Sequence, residues 1–163
     1  MRGNTKFRFL LPVSETVTAI VVGGFGLWQR HHILSQPFVG DQTLWESTAR
    51  FHVWPLPYRF AVISNIPAFL TAAIVEWPIG RLWPQLPEVC GFVLFVLFVP
   101  VLWYLLGSLL DKMQRDKCWA VLLSFTALAI AAMFTPGHAS YILSGCLLWL
   151  AFGVVIGRMK GSA

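Results

Sequence analysis

The sequence predicts an all-α fold, a polytopic helical membrane protein, and three observations support this class. Of the 163 residues, 57% are apolar and 15% are aromatic, and the mean hydropathy is +0.70. Only 12% are charged, against about a quarter in an ordinary soluble domain. The apolar residues also fall in long uncharged runs, which a soluble fold of this size cannot bury. Residues 1–163 contain no polar linker and are predicted to form one membrane domain.

The first predicted span is Phe9 to Trp28, with Glu15 as its only charged residue. It ends at Trp28, followed by Arg30, as expected for a helix anchored at a membrane interface. The start of the chain resembles a signal peptide in its basic residues and following apolar run. Glu15 interrupts that run and no small-residue cleavage site follows, so an uncleaved span is predicted.

A short interfacial helix is predicted next, from about Thr43 to Val53. Thr43 and Glu46 match the spacing of a capping box, and Pro55 stops the helix they open. Apolar side chains gather near one face of this segment, whereas Glu46 and Arg50 form a charged pair on another. Such a helix lies along the membrane surface.

The segment from Phe60 to Val75 is ambiguous because it is short for a span and contains Asn65. Pro67 also removes a helical hydrogen bond and leaves the carbonyl of Ile63 without its helical partner. A re-entrant segment and a fifth span both fit. Trp-Pro dipeptides on both sides of the segment resemble interfacial anchors with enforced turns, and they favour the re-entrant arrangement. These dipeptides are Trp54-Pro55, Trp77-Pro78 and Trp83-Pro84.

Three further spans follow. Val89 to Leu110 is the clearest, because at about 1.5 Å per residue it exceeds the roughly 30 Å thickness of the hydrocarbon core. Cys118 to Phe134 and Ala139 to Gly157 are also uncharged. Thr135, Pro136, Gly137 and His138 separate these last two runs and suit a tight turn between antiparallel helices.

Positive charge orients the spans, because cytoplasmic loops carry an excess of Lys and Arg. In the four-span model the cytoplasmic segments hold eight of the 12 positive residues. A five-span model with the amino terminus outside gives the same eight to four division. The four-span model is preferred because its eight charges lie in short segments and the basic amino terminus stays inside. The eight are Arg2, Lys6, Arg8, Lys112, Arg115, Lys117, Arg158 and Lys160.

Glu15 is the sharpest candidate for function, because an ionisable residue inside a span is costly and often marks an ion or proton pathway. The structural interpretation places Pro12 in the first helical turn. Glu15 would then lie close to the membrane surface, stabilised by the helix dipole and by Lys6 or Arg8. The structural interpretation is favoured.

Asn65, followed by Pro67, is the second polar candidate and could mark a broken helix that lines a transport site. The alternative is that Asn65 forms a hydrogen bond with a neighbouring helix and so holds the bundle together. Small residues at helical spacing also predict close helix packing, either within the chain or between protomers. They are Ala120, Ser124, Ala127, Ala131, Gly153 and Gly157.

The four histidines, His31, His32, His52 and His138, fall on the outer side in the four-span model and raise the possibility of a metal site. Adjacent histidines do not share a helical face, however, and no recognised ligand motif accompanies them. The three cysteines form no C-x-x-C pair. We therefore expect neither a metal nor another cofactor.

Three functional hypotheses follow, in order of preference. The first is a non-enzymatic accessory or interaction subunit of a membrane complex, because the spans are nearly free of polar groups. The second is a small oligomeric transporter or channel that uses Glu15 and Asn65, and the third is a membrane metalloprotein or enzyme that uses the outer histidines. The expected partners are the lipid bilayer and other membrane subunits or further copies of this chain. The net charge of +5 is assigned to membrane orientation rather than to nucleic-acid binding.

Overall fold

The computed structural model describes residues 6–35, 54–82, 88–113 and 115–161, and within these ranges the regular structure is entirely helical. The helices are α1 (Phe7–Leu34), α2 (Leu56–Ser64), α3 (Ile66–Leu82), α4 (Glu88–Leu110), α5 (Arg115–Met133) and α6 (His138–Gly161). By length and composition, 3 helices of the described chain can cross a membrane, or up to 4 if the bent pair α2–α3 forms one span. The shorter apolar stretch Lys117–Met133 lies in α5.

Helix α1 is longer at both ends than the predicted span. It begins at Phe7, where the backbone N–H donates a 2.7 Å hydrogen bond to Oδ1 of Asp111 in the α4–α5 connection. A carboxylate at this position satisfies an unpaired helical N–H and interacts favourably with the helix dipole. Pro12 therefore lies inside the helix, and the prediction that it occupies the first turn is wrong.

Helices α1 and α4 are antiparallel neighbours. At one end, which we call the proximal end, Phe7 and Arg8 pack against Gly107 and Asp111. At the other end, the distal end, Gly23 of α1 faces Phe92 near the start of α4. The start of α1 and the α4–α5 connection therefore lie at the same end of the bundle.

The bent pair α2–α3 turns through 95° at Asn65. Tyr58 near the start of α2 lies against Gly26 of α1, and Glu76 in α3 lies against Gly91 at the start of α4. Both contacts belong to the distal end, whereas the bend lies deeper in the bundle. The pair therefore enters the bundle and returns towards the same end.

Proline has different effects at different points of this chain. Helix α3 continues through Pro78, so Trp77-Pro78 does not form the enforced turn expected from the sequence. Helix α4 likewise continues through Pro100. The turn predicted between the last two helices is present, and Gly137 adopts a φ of 85° there, a conformation that favours glycine.

The proposed interfacial helix at Thr43 to Val53 and the dipeptide Trp83-Pro84 lie outside the described residues. Cys90 and Cys118 lie near opposite ends of the bundle, because Cys90 belongs to the first turn of α4 and Sγ of Cys118 lies 3.4 Å from the carbonyl oxygen of Leu110. The length of α4 between these points is about 30 Å at about 1.5 Å per residue. That separation excludes a disulfide between them in this fold.

Candidate functional site

Asn65 forms the polar centre of the bundle and is completely buried. Its side-chain Nδ2 donates to the carbonyl of Ala61 at 3.0 Å. Its Oδ1 accepts a 2.6 Å hydrogen bond from the indole Nε1 of Trp103 in α4. Its backbone N–H and carbonyl are bonded to Val62 and Phe69. Asn65 thus connects two helices, as the structural interpretation predicted.

Pro67 removes the helical hydrogen-bond donor to the carbonyl of Ile63, and a side chain from another helix replaces that donor. Nε1 of Trp149 in α6 donates to this oxygen at 2.9 Å. The two indole N–H groups therefore satisfy the carbonyl of Ile63 and the side-chain oxygen of Asn65 at the break between α2 and α3. An unpaired carbonyl at this depth would otherwise cost several kcal/mol in a lipid environment.

An aromatic cluster surrounds these hydrogen bonds. The ring of Trp103 lies 5.9 Å from that of Trp149, and Phe125 of α5 lies 5.1 Å from Trp149. Phe152 completes the cluster at 4.6 Å from Phe125. Large aromatic rings from three helices thus fill the space beside the bend, and Asn65 faces indole rather than an open cavity.

Glu15 is half-buried on α1, and its carboxylate makes no hydrogen bond or ion pair with any described residue. The sequence interpretation paired it with Lys6 or Arg8. Instead, Nε of Arg8 lies 3.9 Å from Oδ2 of Asp111. Because α1 starts at Phe7, Glu15 lies about 12 Å along the helix at about 1.5 Å per residue. The interpretation that Pro12 opens the helix and sets Glu15 close to its start is therefore wrong.

A second polar feature, which the sequence interpretation missed, lies at the distal end around two arginines. Arg30 at the end of α1 is 2% exposed, and its guanidinium lies 4.2 Å from the ring centre of Trp54. Arg59 donates to the carbonyl oxygens of Trp54 at 2.8 Å and Thr135 at 3.0 Å. Its guanidinium also lies 5.3 Å from the ring of Tyr141.

These contacts tie the start of α2 to the α5–α6 turn, so Arg59 holds the bent pair at the distal end. Burial of a guanidinium is tolerated because several donors are used and aromatic faces offset the charge. Sequence inspection assigned Arg30 to an interfacial anchor and counted Arg59 only among the positive residues of the outer side. Trp28, Trp54 and Tyr58 lie close to these arginines in sequence and were the available signal for an aromatic site around them. Aromatic residues of this kind are equally typical of ordinary interfacial anchors.

The histidines are not brought together in the described chain. His31 and His32 are exposed at the end of α1, and the ring of His32 stacks 5.8 Å from that of Trp28. His52 and the side chain of His138 lie outside what the structure describes. Within the described residues, no group of three or more His, Cys, Asp or Glu side chains has the geometry of a metal site.

Small residues lie on two different kinds of surface, at helix contacts inside the bundle and on its exposed outside. Inside the bundle, glycines permit close contact: a Cβ on Gly26 would lie 2.5 Å from the backbone nitrogen of Tyr58, and one on Gly145 would lie 2.7 Å from Ile66. On the outside, Gly153 and Gly157 have no neighbouring atom within 4 Å of such a Cβ. The α5 ladder, defined as Ala120, Ser124, Ala127 and Ala131, is also exposed.

Comparison with known proteins assigns neither a family nor a function to this chain. No family model, curated protein or solved structure matches the chain.

Proposed function

We propose that this protein is a non-enzymatic accessory or interaction subunit of a membrane complex, and that the α5 ladder is its contact surface. The observation that carries the proposal is the outward position of this ladder. On the opposite face of α5 the bundle interior is filled by other side chains, namely Cys118, Leu122, Phe125 and Ala129, all of which are buried. The ladder therefore takes no part in packing α5 against its own bundle.

Small residues at helical spacing allow two helix backbones to approach closely, and in membranes this packing drives helix association. An apolar groove of about 290 Å³ runs beside the ladder and is lined by residues of α5 and α6, including Ala120, Ser124 and Ala151. A partner helix lying on the ladder would fill this groove. The partner is another membrane subunit or a second copy of this chain.

The proposal includes a topology of four spans, with α2–α3 re-entrant and both chain termini cytoplasmic in the cell (inner) membrane. Its support comes from charge and from contacts. The proximal end carries Lys6, Arg8, Lys112 and Lys117, and an excess of positive charge marks the cytoplasmic side. Tyr58 and Glu76, near the two outer ends of the bent pair, both contact distal residues.

The ladder is tested by Ala127→Leu, which adds bulk on the exposed face of α5 without disturbing the interior. Gly24→Leu is the matched control, because Gly24 lies on a different helix and a Cβ added there meets no atom within 4 Å. We expect a stoichiometric membrane partner or dimer to persist with Gly24→Leu and to fall at least tenfold with Ala127→Leu. Quantitative copurification in mild detergent, with cross-linking in membranes, provides the measurement. Equal recovery from both variants would refute the α5 interface.

A small oligomeric transporter or channel is the second candidate, and the observation in its favour is Glu15. A half-buried carboxylate without an ion-pair partner in a membrane helix is costly and is often retained for transport. Asn65 contributes less to this candidate, because its polar atoms are already bonded within the bundle. Ion or proton flux in liposomes that disappears in Glu15→Gln, with assembly unchanged, would favour this function over the first.

A further inference from the structure

A groove separates α4 from α6 at the proximal end of the bundle. The two helices run parallel and meet through the rings of Trp103 and Trp149. Beyond this contact, towards the proximal end, a space of about 490 Å³ opens between them. Leu106 and Met113 line one side, and Ile156 lines the other. The groove is therefore apolar along its length.

Gly153 and Gly157 of α6 also line the groove, and the space beside each is open, because neither glycine has a neighbouring atom within 4 Å of an added Cβ. From Leu106 to Lys112 the groove extends for about 9 Å, at about 1.5 Å per residue. Over that length a partner helix would touch the groove through fewer than two turns, whereas an acyl chain can lie along it lengthwise. The groove fits a hydrocarbon chain better than it fits a helix.

Lys112 lines the groove at its proximal mouth, immediately after the end of α4. The neighbouring carboxylate of Asp111 is occupied by the N–H of Phe7 and by Arg8. Lys112 forms no ion pair with the described residues. An apolar slot that ends at a cation with no ion pair among the described residues is complementary to an amphiphile with an anionic head.

We propose that this groove binds one anionic phospholipid, with an acyl chain along Gly153 and Gly157 and the phosphate beside Lys112. Basic pockets between membrane helices on the cytoplasmic side select anionic headgroups in this way. The bound lipid fills the space that α4 and α6 leave open on the proximal side of Trp103 and Trp149. This site is separate from the α5 ladder, so the two proposals can fail independently.

Native mass spectrometry of the full-length protein in mild detergent tests the site with two probes, phosphatidylglycerol and phosphatidylcholine of identical chains. We expect one phosphatidylglycerol to be retained about fivefold more strongly than phosphatidylcholine, since one lysine near an anionic headgroup contributes an effect of that size. Lys112→Gln should remove this preference, whereas Lys6→Gln, at an exposed cation of the same end outside the groove, should preserve it.

Gly153→Leu tests the apolar part of the site by filling the groove. It should reduce retention of both lipids at least tenfold, and the control Gly24→Leu should leave retention unchanged. Equal retention of the two lipids by the wild-type protein, or the same effect from Lys112→Gln and Lys6→Gln, would overturn the proposal. A wild-type dimer that Gly153→Leu dissociates would assign the groove to a second copy of this chain and would overturn it as well.

Discussion

Asn65 leaves the helical conformation, with φ of −131° and ψ of 32°, and so ends α2. At a break of this kind the backbone groups on both sides lose their helical partners. The side chain of Asn65 accepts from Trp103 and donates to the carbonyl of Ala61, and Trp149 donates to the carbonyl of Ile63. The break is stable because the side chains of Asn65 and Trp149 replace two missing helical bonds, and Trp103 satisfies the side-chain oxygen of Asn65.

We therefore expect Asn65→Leu to lower the free energy of unfolding by about 1–3 kcal/mol, because it leaves the buried indole N–H of Trp103 without an acceptor. Thr71→Val is the control, since Thr71 is exposed on the adjoining helix and bonds only to the carbonyl of Pro67. It should change stability by less than about 0.5 kcal/mol. Unfolding titrations in mixed micelles provide the comparison. Equal losses from the two variants would show that the bond to Trp103 contributes little.

Glu15 and Asp111 illustrate how position decides the role of a carboxylate. Asp111 lies at the proximal end and accepts the N–H of Phe7 at 2.7 Å, so it is paired with a helix terminus. Glu15 lies further along the same helix without such a partner among the described residues. Sequence inspection selected Glu15 because it interrupts an apolar run, and had no comparable reason to select Asp111.

At the scale of helices, packing is controlled by the places where two backbones touch. Gly26 of α1 contacts Tyr58 of α2, whereas Gly24 on the same helix faces open space. The π-helical segment Ala19–Gly23 precedes these glycines and lies against α2. Its extra residue rotates the following part of α1 relative to a regular helix. The face of α1 that carries Gly26 therefore packs against α2 of the bent pair.

Gly26→Ala should destabilise the fold, because the new Cβ would lie 2.5 Å from the backbone nitrogen of Tyr58 and the two helices would have to separate. A loss of about 1–3 kcal/mol is expected from overpacking of this kind. Gly24→Ala should be neutral or stabilising by up to about 1 kcal/mol, because alanine favours helix and meets no neighbour. Thermal unfolding in detergent distinguishes them. Matching melting temperatures would contradict the close α1–α2 contact.

At the scale of the whole molecule, the bent pair determines the topology. The contacts of Tyr58 with Gly26 and of Glu76 with Gly91 place both arms of the pair at the distal end. The contact of Phe7 with Asp111 places the start of α1 beside the α4–α5 connection at the proximal end. These contacts support the proposed arrangement of four crossings with an inserted helical hairpin.

Single cysteines introduced at Leu56 and Leu82 test this topology, in a background whose native cysteines are replaced by alanine. Both positions are exposed, at 41% and 72%. An impermeant thiol reagent should label both from the side opposite to cysteines at Asn4 and Gln114, which should be labelled together. If the cysteines at positions 56 and 82 react from opposite sides, α2–α3 is a span and the five-span model applies.

The sequence by itself determined the all-helical class of the fold and the approximate positions of its long apolar helices, because uncharged apolar runs have few alternatives to membrane helices. It also identified Asn65 as a polar contact and Ile63 as a carbonyl in need of a donor. Those conclusions depend on local composition and on the geometry of proline. They require no knowledge of which helices are neighbours.

Only the tertiary structure decided which groups meet. The donors Trp103 and Trp149 lie 38 and 86 residues from their acceptors, and apolar helices of similar composition offer no sequence signal for such pairing. The start of α1 was misplaced because Asp111, far away in the chain, accepts the N–H of Phe7. The outward position of the α5 ladder likewise depends on which face of α5 the other helices cover. In a membrane most helix faces are apolar, so contact geometry rather than hydrophobicity distinguishes an inner face from an outer one.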